Sequence, residues 1–545
     1  MDYKPAELTP VRALSIDGLG TLSDHDGVLL VAYDLETCQQ SVAQSSAIKA
    51  VLNCVQAYAA KDKAAMDPKE AVLVQSDKLP VVLAALGPLC RDHDDVRRYG
   101  EATGRAMKRA IRAGSIKRPL LLVQPPPLKQ LEPELAKDWA LYEEVALLAA
   151  LAELHDPLEA RETQARGRCI ENISILGTLR EEQLKWVLAV EEGRRLARDI
   201  GGADPERMSA INAAEAIKGY FSDKPSVQVR VIDDADLMKK EYPLLAAVAR
   251  ASLAVPRHAP RIVWLEYRSS EPSQVQEELL MVGKGITYDT GGADLKVNGH
   301  MVGMSRDKCG AAALAGFMAS CAQLQPKHLN ITIALALVRN SIGADAYVSD
   351  ELIRSRAGVR VRIGNTDAEG RMVMADLLAE MKERAMSSSH NSHITRRLFT
   401  CATLTGHVGR AYGPYAAAIE NGPARMLRMA ASLQSAGQQI GDCFEVSTLR
   451  REDFDFVQGK SACEDVIQAN SLPSTMTARG HQFPAAFLMI ASGLDKHGLD
   501  APRGQRIPYT HLDIAAAAEE SFPLGRPTGT PIAALATAFL RRSLK

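Results

Sequence analysis

The sequence predicts an α/β protein of more than one domain, each domain a sheet flanked by helices. Three observations carry this. Strand-like apolar runs alternate with helix-spaced segments along most of the chain, the rhythm of parallel and mixed sheets. Prolines and glycines fall at the ends of those runs. The 545 residues exceed one ordinary domain, and roughly two to four are expected from length.

Taken in order, "GVLLVAYDL", "AVLVQ" and "LPVVLAALG" read as strands. "DVRRYGEATGRAMKRAIRAG" has small and apolar residues at helical spacing and ends on glycine. "RPLLLVQPPP" is a buried strand stopped by prolines. This first part is expected to form an α/β domain with a largely parallel sheet. A long helix, "KWVLAVEEGRRLARDIGG", residues 185 to 202, then leads into a second domain. The expected division is 1–185 and 186–545. In the second part "VQVRVID", "RIVWLEYR", "ELLMVG", "NITIALALV", "GVRVRIG" and "RRLFTCATLTG" read as strands. "CGAAALAGFMASCAQL" and "RMVMADLLAEMKER" read as helices, and the polar "ERAMSSSHNSHITRRL" as an exposed loop.

Hydrophobic residues at 46% and charged residues at 24% permit a sizeable core and exclude general disorder. A net charge of -1 gives no broad attraction for nucleic acid or an anionic membrane. Nine cysteines without a CxxC pair read as free thiols of a reducing compartment. No apolar run reaches about 18 residues, so no membrane span is expected, and the N-terminus has no apolar signal region. The default is a cytoplasmic enzyme.

Two segments hold the polar residues of interest. The strand "ELLMVG" runs into "GKGITYDTGGADLK", with Lys284 between glycines, Asp289 before "TGG", and Lys296 soon after. Asp307 follows, just before the small-residue helix. The second segment is "NTDAEGR", 365 to 371, between an expected strand and an expected helix. On an extended chain Asp367 and Glu369 point to one side, with Arg371 following on that side. Four carboxylates, Asp289, Asp307, Asp367 and Glu369, repel one another unless cations sit among them, and two divalent metals about 3.5–4 Å apart would serve. There is no HExxH, GxxxxGK[ST] or GxGxxG. An oxygen-rich site suits Mg and Mn as well as Zn.

These segments resemble the leucyl aminopeptidase family of dinuclear metallopeptidases. "NTDAEGR" matches that family's signature, and "VGKGITYDTGG" with Lys296 and Asp307 matches its other core segment. "TLTG" at 403 to 406, "HLDIA" at 511 to 515 and "GRPTGTPI" at 525 to 532 also fit, so the resemblance covers roughly residues 190 to 545. It implies an N-terminal α/β domain, macro-like, and a C-terminal catalytic α/β domain with a mixed central sheet flanked by helices. It implies two divalent metals, Zn and/or Mn or else Mg. Asp289 and Glu369 would bridge both, Asp367 would complete one site, and Lys284 and Asp307 the other. Lys296 would polarise the substrate carbonyl. Arg371 would hold a bicarbonate acting as general base, helped by the backbone of Ala368, Gly370 and Leu404. Met304, Asn365, Thr403 and Gly406 would line the substrate pocket. The implied reaction is removal of the N-terminal residue of a peptide with a free amine, through attack by a metal-bridging hydroxide. A homohexamer is implied as well.

The chain departs from that pattern at Lys308 and Cys309, where most relatives have methionine and a small residue, and at Asp294 beside Lys296. His481, Gln482 and Phe483 are bulkier and more polar than the family's specificity segment, which removes leucine preference as a safe expectation. Read alone, "NTDAEGR" is a solvated turn, Cys309 a buried small residue, His390 and His393 a solvated loop, and His511 structural. Two other functions compete: an inactive paralogue that keeps the fold, and a nucleic-acid-binding protein, which the near-zero charge argues against.

Overall fold

A computed structural model of the chain describes residues 3–15, 22–41, 45–163, 169–387 and 393–541. In its first part, β1 (Val11–Leu14), β2 (Gly27–Ala32), β3 (Ala71–Val74), β4 (Val81–Ala85), β5 (Pro119–Val123) and β6 (Ile173–Leu176) form one sheet in the order β1-β6-β5-β2-β4-β3. Every pairing is parallel except β3 with β4 at the edge. β2, β4 and β5 are buried along their whole length. Both faces are covered, which is why they read as unbroken apolar runs. The helix Arg97–Ala113 buries Tyr99, Ala102, Ala106, Met107 and Ala110 along one stripe and stops at Gly114, whose φ of 72° only glycine adopts freely.

The second part adds β7 (Val227–Ile232), β8 (Arg261–Tyr267), β9 (Glu277–Asp289), β10 (Leu329–Asn340), β11 (Leu352–Arg354), β12 (Arg360–Arg362), β13 (Thr395–Ala402), β14 (Ala416–Glu420), β15 (Phe444–Thr448), β16 (Val466–Ile467) and β17 (Tyr509–Asp513). Eight of them make a mixed sheet in the order β15-β14-β17-β13-β9-β10-β8-β7, and β11-β12-β16 make a small one. The inner four strands, β17, β13, β9 and β10, are mutually parallel. Their C-terminal ends therefore share one edge, where open α/β sheets place ligand sites. β8 and β14 run antiparallel to their inner neighbours.

Alternation along β9 assigns each face to a helix. Leu279 and Met281 pack with Ala311, Leu314 and Phe317 of the small-residue helix Cys309–Leu324. Leu280 and Val282 pack with Met372, Val373 and Leu377 of the helix Glu369–Ser387. Behind the small-residue helix lies the connecting helix Glu181–Gly202. These two helices touch backbone to backbone: a Cβ on Gly193 would lie 2.2 Å from the Gly316 carbonyl, and one on Gly316 would lie 2.3 Å from the Gly193 carbonyl.

The connecting helix is also stitched to the first part by buried charge. Glu191 pairs with Arg198 at 2.8 Å and Arg195 at 3.2 Å, and Arg195 donates to the Leu151 carbonyl. Asp199 takes His155 at 2.9 Å, Arg161 at 2.7 Å and the Tyr3 hydroxyl at 3.0 Å. Of the stretch read as an exposed loop, the helix continues to Ser387 and β13 starts at Thr395. His390 lies outside the described residues, and His393 is exposed.

Gly316→Val places side-chain atoms where the Gly193 carbonyl sits. It is expected to cost about 3 kcal/mol or more, the upper range of overpacking, read as a lowered denaturant midpoint. A variant as stable as wild type would contradict the close helix contact.

Candidate metal centre

The parallel strands set the site's frame. Lys284 lies within β9 and Asp289 at its end. Thr403 and Leu404 follow the end of β13, Asp513 ends β17, and Asn340 ends β10. Asp307 sits in the 3₁₀ turn Met304–Lys308, at the entrance to the small-residue helix.

Three carboxylates, Asp289, Asp307 and Glu369, bring one oxygen each to within 4.8 Å of one another, and all three are buried. Lys284 Nζ lies among them, 2.9 Å from Asp307 Oδ1 and 3.0 Å from Glu369 Oε1, and donates to the Thr403 carbonyl at 2.9 Å. Lys296 Nζ lies 3.0 Å from Asp289 Oδ2 and pairs closely with Asp367 Oδ1, which joins the fourth carboxylate to the group. The close approach of Lys284 depends on Gly370, where a Cβ would meet Lys284 Nζ at 2.6 Å.

The signature segment reaches this arrangement differently from the extended run expected. Thr366 and Asp367 form a turn, and Glu369 already opens the helix Glu369–Ser387. Asp367 and Glu369 converge because the chain bends between them, not because they alternate on a strand. Arg371, two residues further round the helix, leaves the carboxylates: its Nη1 donates to the Gln468 carbonyl at 3.0 Å, and its guanidinium lies 5.0 Å from the Phe483 ring centre. The Asn365 side chain accepts the Asp367 amide at 2.8 Å. Ala368 donates its N–H to the Asn365 carbonyl. Thr403 grips the cluster itself, its carbonyl taking Lys284 and its hydroxyl donating to Asp307 Oδ1 at 2.7 Å. The Leu404 N–H donates to Asp513 Oδ1. Met304, half-buried, opens the 3₁₀ turn, and exposed Gly406 opens the helix Gly406–Tyr412.

Several residues that hold the site carried no sequence signal, and Asp294 stood out only as a departure beside Lys296. Gln468, fully buried, accepts the Gly364 and Asn365 amides and donates to the Asn365 and Ala368 carbonyls, both at 2.8 Å. Asn340 donates to Asp289 Oδ1 at 2.8 Å and to the Thr366 carbonyl at 3.1 Å. Tyr347 donates to that same carbonyl at 2.8 Å. Asp294 takes the Thr366 amide at 2.6 Å, so this added carboxylate clips the 290s loop to the signature. Each lies in a strand or loop outside the signature segment.

Charge in the cluster is unbalanced. Four carboxylates against two lysines leave a surplus of 4 − 2 = 2 negative charges when all are ionised. Burial, with repulsion from Asp289, pushes Asp367 up to about 7. Burial and the same kind of repulsion raise Glu369 and Asp307. Asp289 goes the other way: burial would raise it, but Lys296 and Lys284 outweigh that and lower it. Burial would lower both lysines, yet the surrounding carboxylates hold them above their usual value. Asp307 Oδ2 and Glu369 Oε2 are buried with no hydrogen-bond partner among the described residues. Hard oxygen donors, surplus negative charge and unpartnered buried carboxylate oxygens together fit divalent cations. Arg371 has the opposite need. Burial pushes it down to about 10, and its Nε has no hydrogen-bond partner among the described residues, so its charge suits an anionic partner.

The departing residues face inward. His481 Nδ1 meets His407 Nδ1 at 2.7 Å and its Nε2 meets Ser447 Oγ at 2.9 Å. Gln482 donates to the same serine at 3.0 Å. His511, in β17, hydrogen-bonds Thr400 at 2.7 Å. Burial, then His407 and Arg479, pushes His481 down to about 4, and burial pushes His511 down to about 3.

Residues 195–536 match the description "Cytosol aminopeptidase family, catalytic domain". A Caenorhabditis elegans protein that carries a provisional aminopeptidase name is 38% identical over 539 residues, covering 96% of this chain and 97% of that one. Among solved structures, a mutant tomato leucine aminopeptidase superposes with a TM-score of 0.77 at 19% identity, over 99% of this chain and 98% of its own. The bottromycin maturation enzyme BotP in complex with Mn gives 0.72 at 22% identity, over 95% and 100%. At these identities the structural likenesses establish the shared fold.

Two outcomes are expected from this geometry. Gln468→Ala removes four buried hydrogen bonds and is expected to cost about 2–4 kcal/mol and to lower activity at least tenfold; unfolding titrations and initial rates check this. The second concerns acid. His481 and His511 bind protons less readily folded than unfolded, so their stabilisation is complete above about 6.5 and is lost as pH falls toward about 4 and about 3. At pH 5 the loss is about 2 kcal/mol per histidine. The raised carboxylates act in the opposite sense, so the comparison is with His511→Gln in chelator, whose stability is expected to fall less between pH 7 and 5. Equal falls would contradict the burial of a neutral imidazole.

Proposed function

The chain belongs to the cytosol aminopeptidase family of metal-dependent hydrolases, and from that membership we propose a two-metal aminopeptidase that removes N-terminal residues from peptides. The observation that carries the reading is the buried group Asp289, Asp307 and Glu369, with half-buried Asp367 joined to it through Lys296 and with oxygens of Asp307 and Glu369 unpartnered among the described residues. Asp289 and Glu369 would lie between two ions, Lys284 and Asp307 beside one, and Asp367 beside the other. Two divalent ions held there would lower the pKa of a shared water and stabilise negative charge at the substrate carbonyl. Manganese is favoured by the Mn complex of BotP, and zinc suits the same donors.

The protein's own groups supply the rest. Lys296, which pairs with Asp289 and Asp367, would present its ammonium to the carbonyl oxygen of the substrate and stabilise the oxyanion. Lys284 would serve as a ligand in its neutral amine form, which cationic charge beside it would favour. Arg371 would hold bicarbonate, whose chemistry here is that of a general base. The backbone of Ala368, Gly370 and Leu404 would help to hold it. Met304, Asn365, Thr403 and Gly406 would shape the substrate side. Residues 186–545 would form the catalytic unit and 1–185 the first domain, in a cytoplasmic homohexamer. Among the described residues no helix is long and apolar enough to cross a membrane.

The purified protein is expected to cleave aminoacyl-p-nitroanilides and unblocked peptides, to spare N-acetylated ones, to lose activity on dialysis against chelator and to regain it with Mn or Zn. Lys296→Ala is expected to lower kcat by about 10²–10³, the cost of removing one oxyanion donor. A protein that takes up two ions yet turns over no substrate would favour the inactive-paralogue reading.

A further inference from the structure

Asp307 is flanked by two cations that both reach the end of the connecting helix. Lys308 is completely buried, and its Nζ donates to the Ala203 carbonyl at 2.9 Å and to the Ser305 carbonyl. Arg306 Nη1 donates to the Gly202 carbonyl. Gly202 is the last residue of the connecting helix and Ala203 its cap. The final carbonyls of a helix have no intrahelical donors, and the helix dipole leaves partial negative charge there. Cations are the groups that satisfy both. An ammonium buried without a carboxylate is costly, and here the helix end supplies its acceptors. The fit is tight beyond the charges: a Cβ on Gly201 would meet Cys309 Sγ at 2.8 Å, and one on Gly202 would meet Pro527 at 3.2 Å.

The turn that presents Asp307 is thereby fixed at two points to a helix outside the catalytic sheet. On its other side Asp307 is held by Lys284 and Thr403. The same helix is clamped to the first part of the chain through Asp199 with His155, Arg161 and Tyr3. We infer that Lys308, assisted by Arg306, is a positioning residue: it docks the Asp307 turn on the end of the connecting helix and so sets the metal site that Asp307 completes. This rests on the two-metal reading above. It also assigns the first domain a part in the centre, since the helix that receives Lys308 is anchored there.

The test is Mn stoichiometry and affinity by equilibrium dialysis with elemental analysis, with kcat and KM measured in parallel. Wild type is expected to hold two ions per chain. Lys308→Met, which keeps length and apolar volume, is expected to bind its second ion about 10- to 100-fold more weakly, the usual effect of losing a residue that orients a ligand. Its kcat at limiting Mn is expected to fall by a similar factor while KM changes less than about twofold. Lys308→Arg, which retains a donor cation, is expected to recover most of the second site. If Lys308→Met does not fold, Arg306→Gln decides in the same assay: weaker binding of one ion supports the assignment, and wild-type binding overturns it. A folded Lys308→Met that holds two ions with wild-type affinity overturns it while leaving the two-metal reading intact. Wild type that holds no Mn or Zn overturns both.

Discussion

Mutual repulsion among buried carboxylates is the constraint around which the catalytic half is arranged. In a low-dielectric interior, like charges a few ångströms apart interact far more strongly than in water. Asp289, Asp307 and Glu369 nevertheless share a space 4.8 Å across. Lys284 and Lys296 answer part of this charge, and each answers two carboxylates at once. That solution demands particular backbone. A lysine must emerge mid-strand among apolar neighbours, which requires the facing helix to present Gly370 rather than any larger residue. A second lysine must return from the loop after β9. Small residues at Gly283, Ala311 and Gly310 let the helix carrying Asp307's turn lie directly on β9 and β13. The centre is therefore written into the packing of the sheet as well as into its polar residues.

Rigidity comes from groups that touch neither cation nor substrate in the proposed reaction. Gln468 replaces the strand partner that the signature turn lacks, satisfying two amides and two carbonyls from one side chain. Asn340 ties Asp289 to Thr366, and Asp294 ties the loop bearing Lys296 to the same threonine. Thr366 is thus the point where three separate segments meet. Oriented carboxylates of this kind hold their position without waiting for a ligand to order them, which is what a preorganised site requires.

The ligand candidates were legible because each group lies within one short segment, where residue type and spacing survive without knowledge of the fold. The alternation of strands and helices was legible for the same reason, since each strand buries one or both faces locally. What escaped is long-range or periodless. Gln468 lies in a short polar stretch after β16 and acts about a hundred residues away. The helix Tyr142–Ala152 is buried on nearly every side, so its apolar residues have no stripe to reveal it. The extended geometry assumed for "NTDAEGR" failed because the helix begins at Glu369 itself, inside the motif. The contacts of Thr403 with Lys284 and Asp307, which lie about a hundred residues or more away, were equally beyond the reach of a local motif.

The unusual residues at 481 to 483 act on the Arg371 side of the centre rather than at its carboxylates. Phe483 lies under the Arg371 guanidinium, where ring and cation attract and water is excluded. His481 and Gln482 converge on Ser447, fixing the start of the helix Phe483–Ala491 that carries this phenylalanine. Arg371 is in turn held by the Gln468 carbonyl, the residue that organises the signature turn. Changes in this segment therefore reach the centre through the orientation of one guanidinium. The carboxylates are anchored directly by Lys284, Thr403, Asn340 and Lys296, and share Gln468 with Arg371 only through the backbone of the signature turn. That division of direct supports is a physical reason why a chain can diverge at 481 to 483 and keep its carboxylates in place.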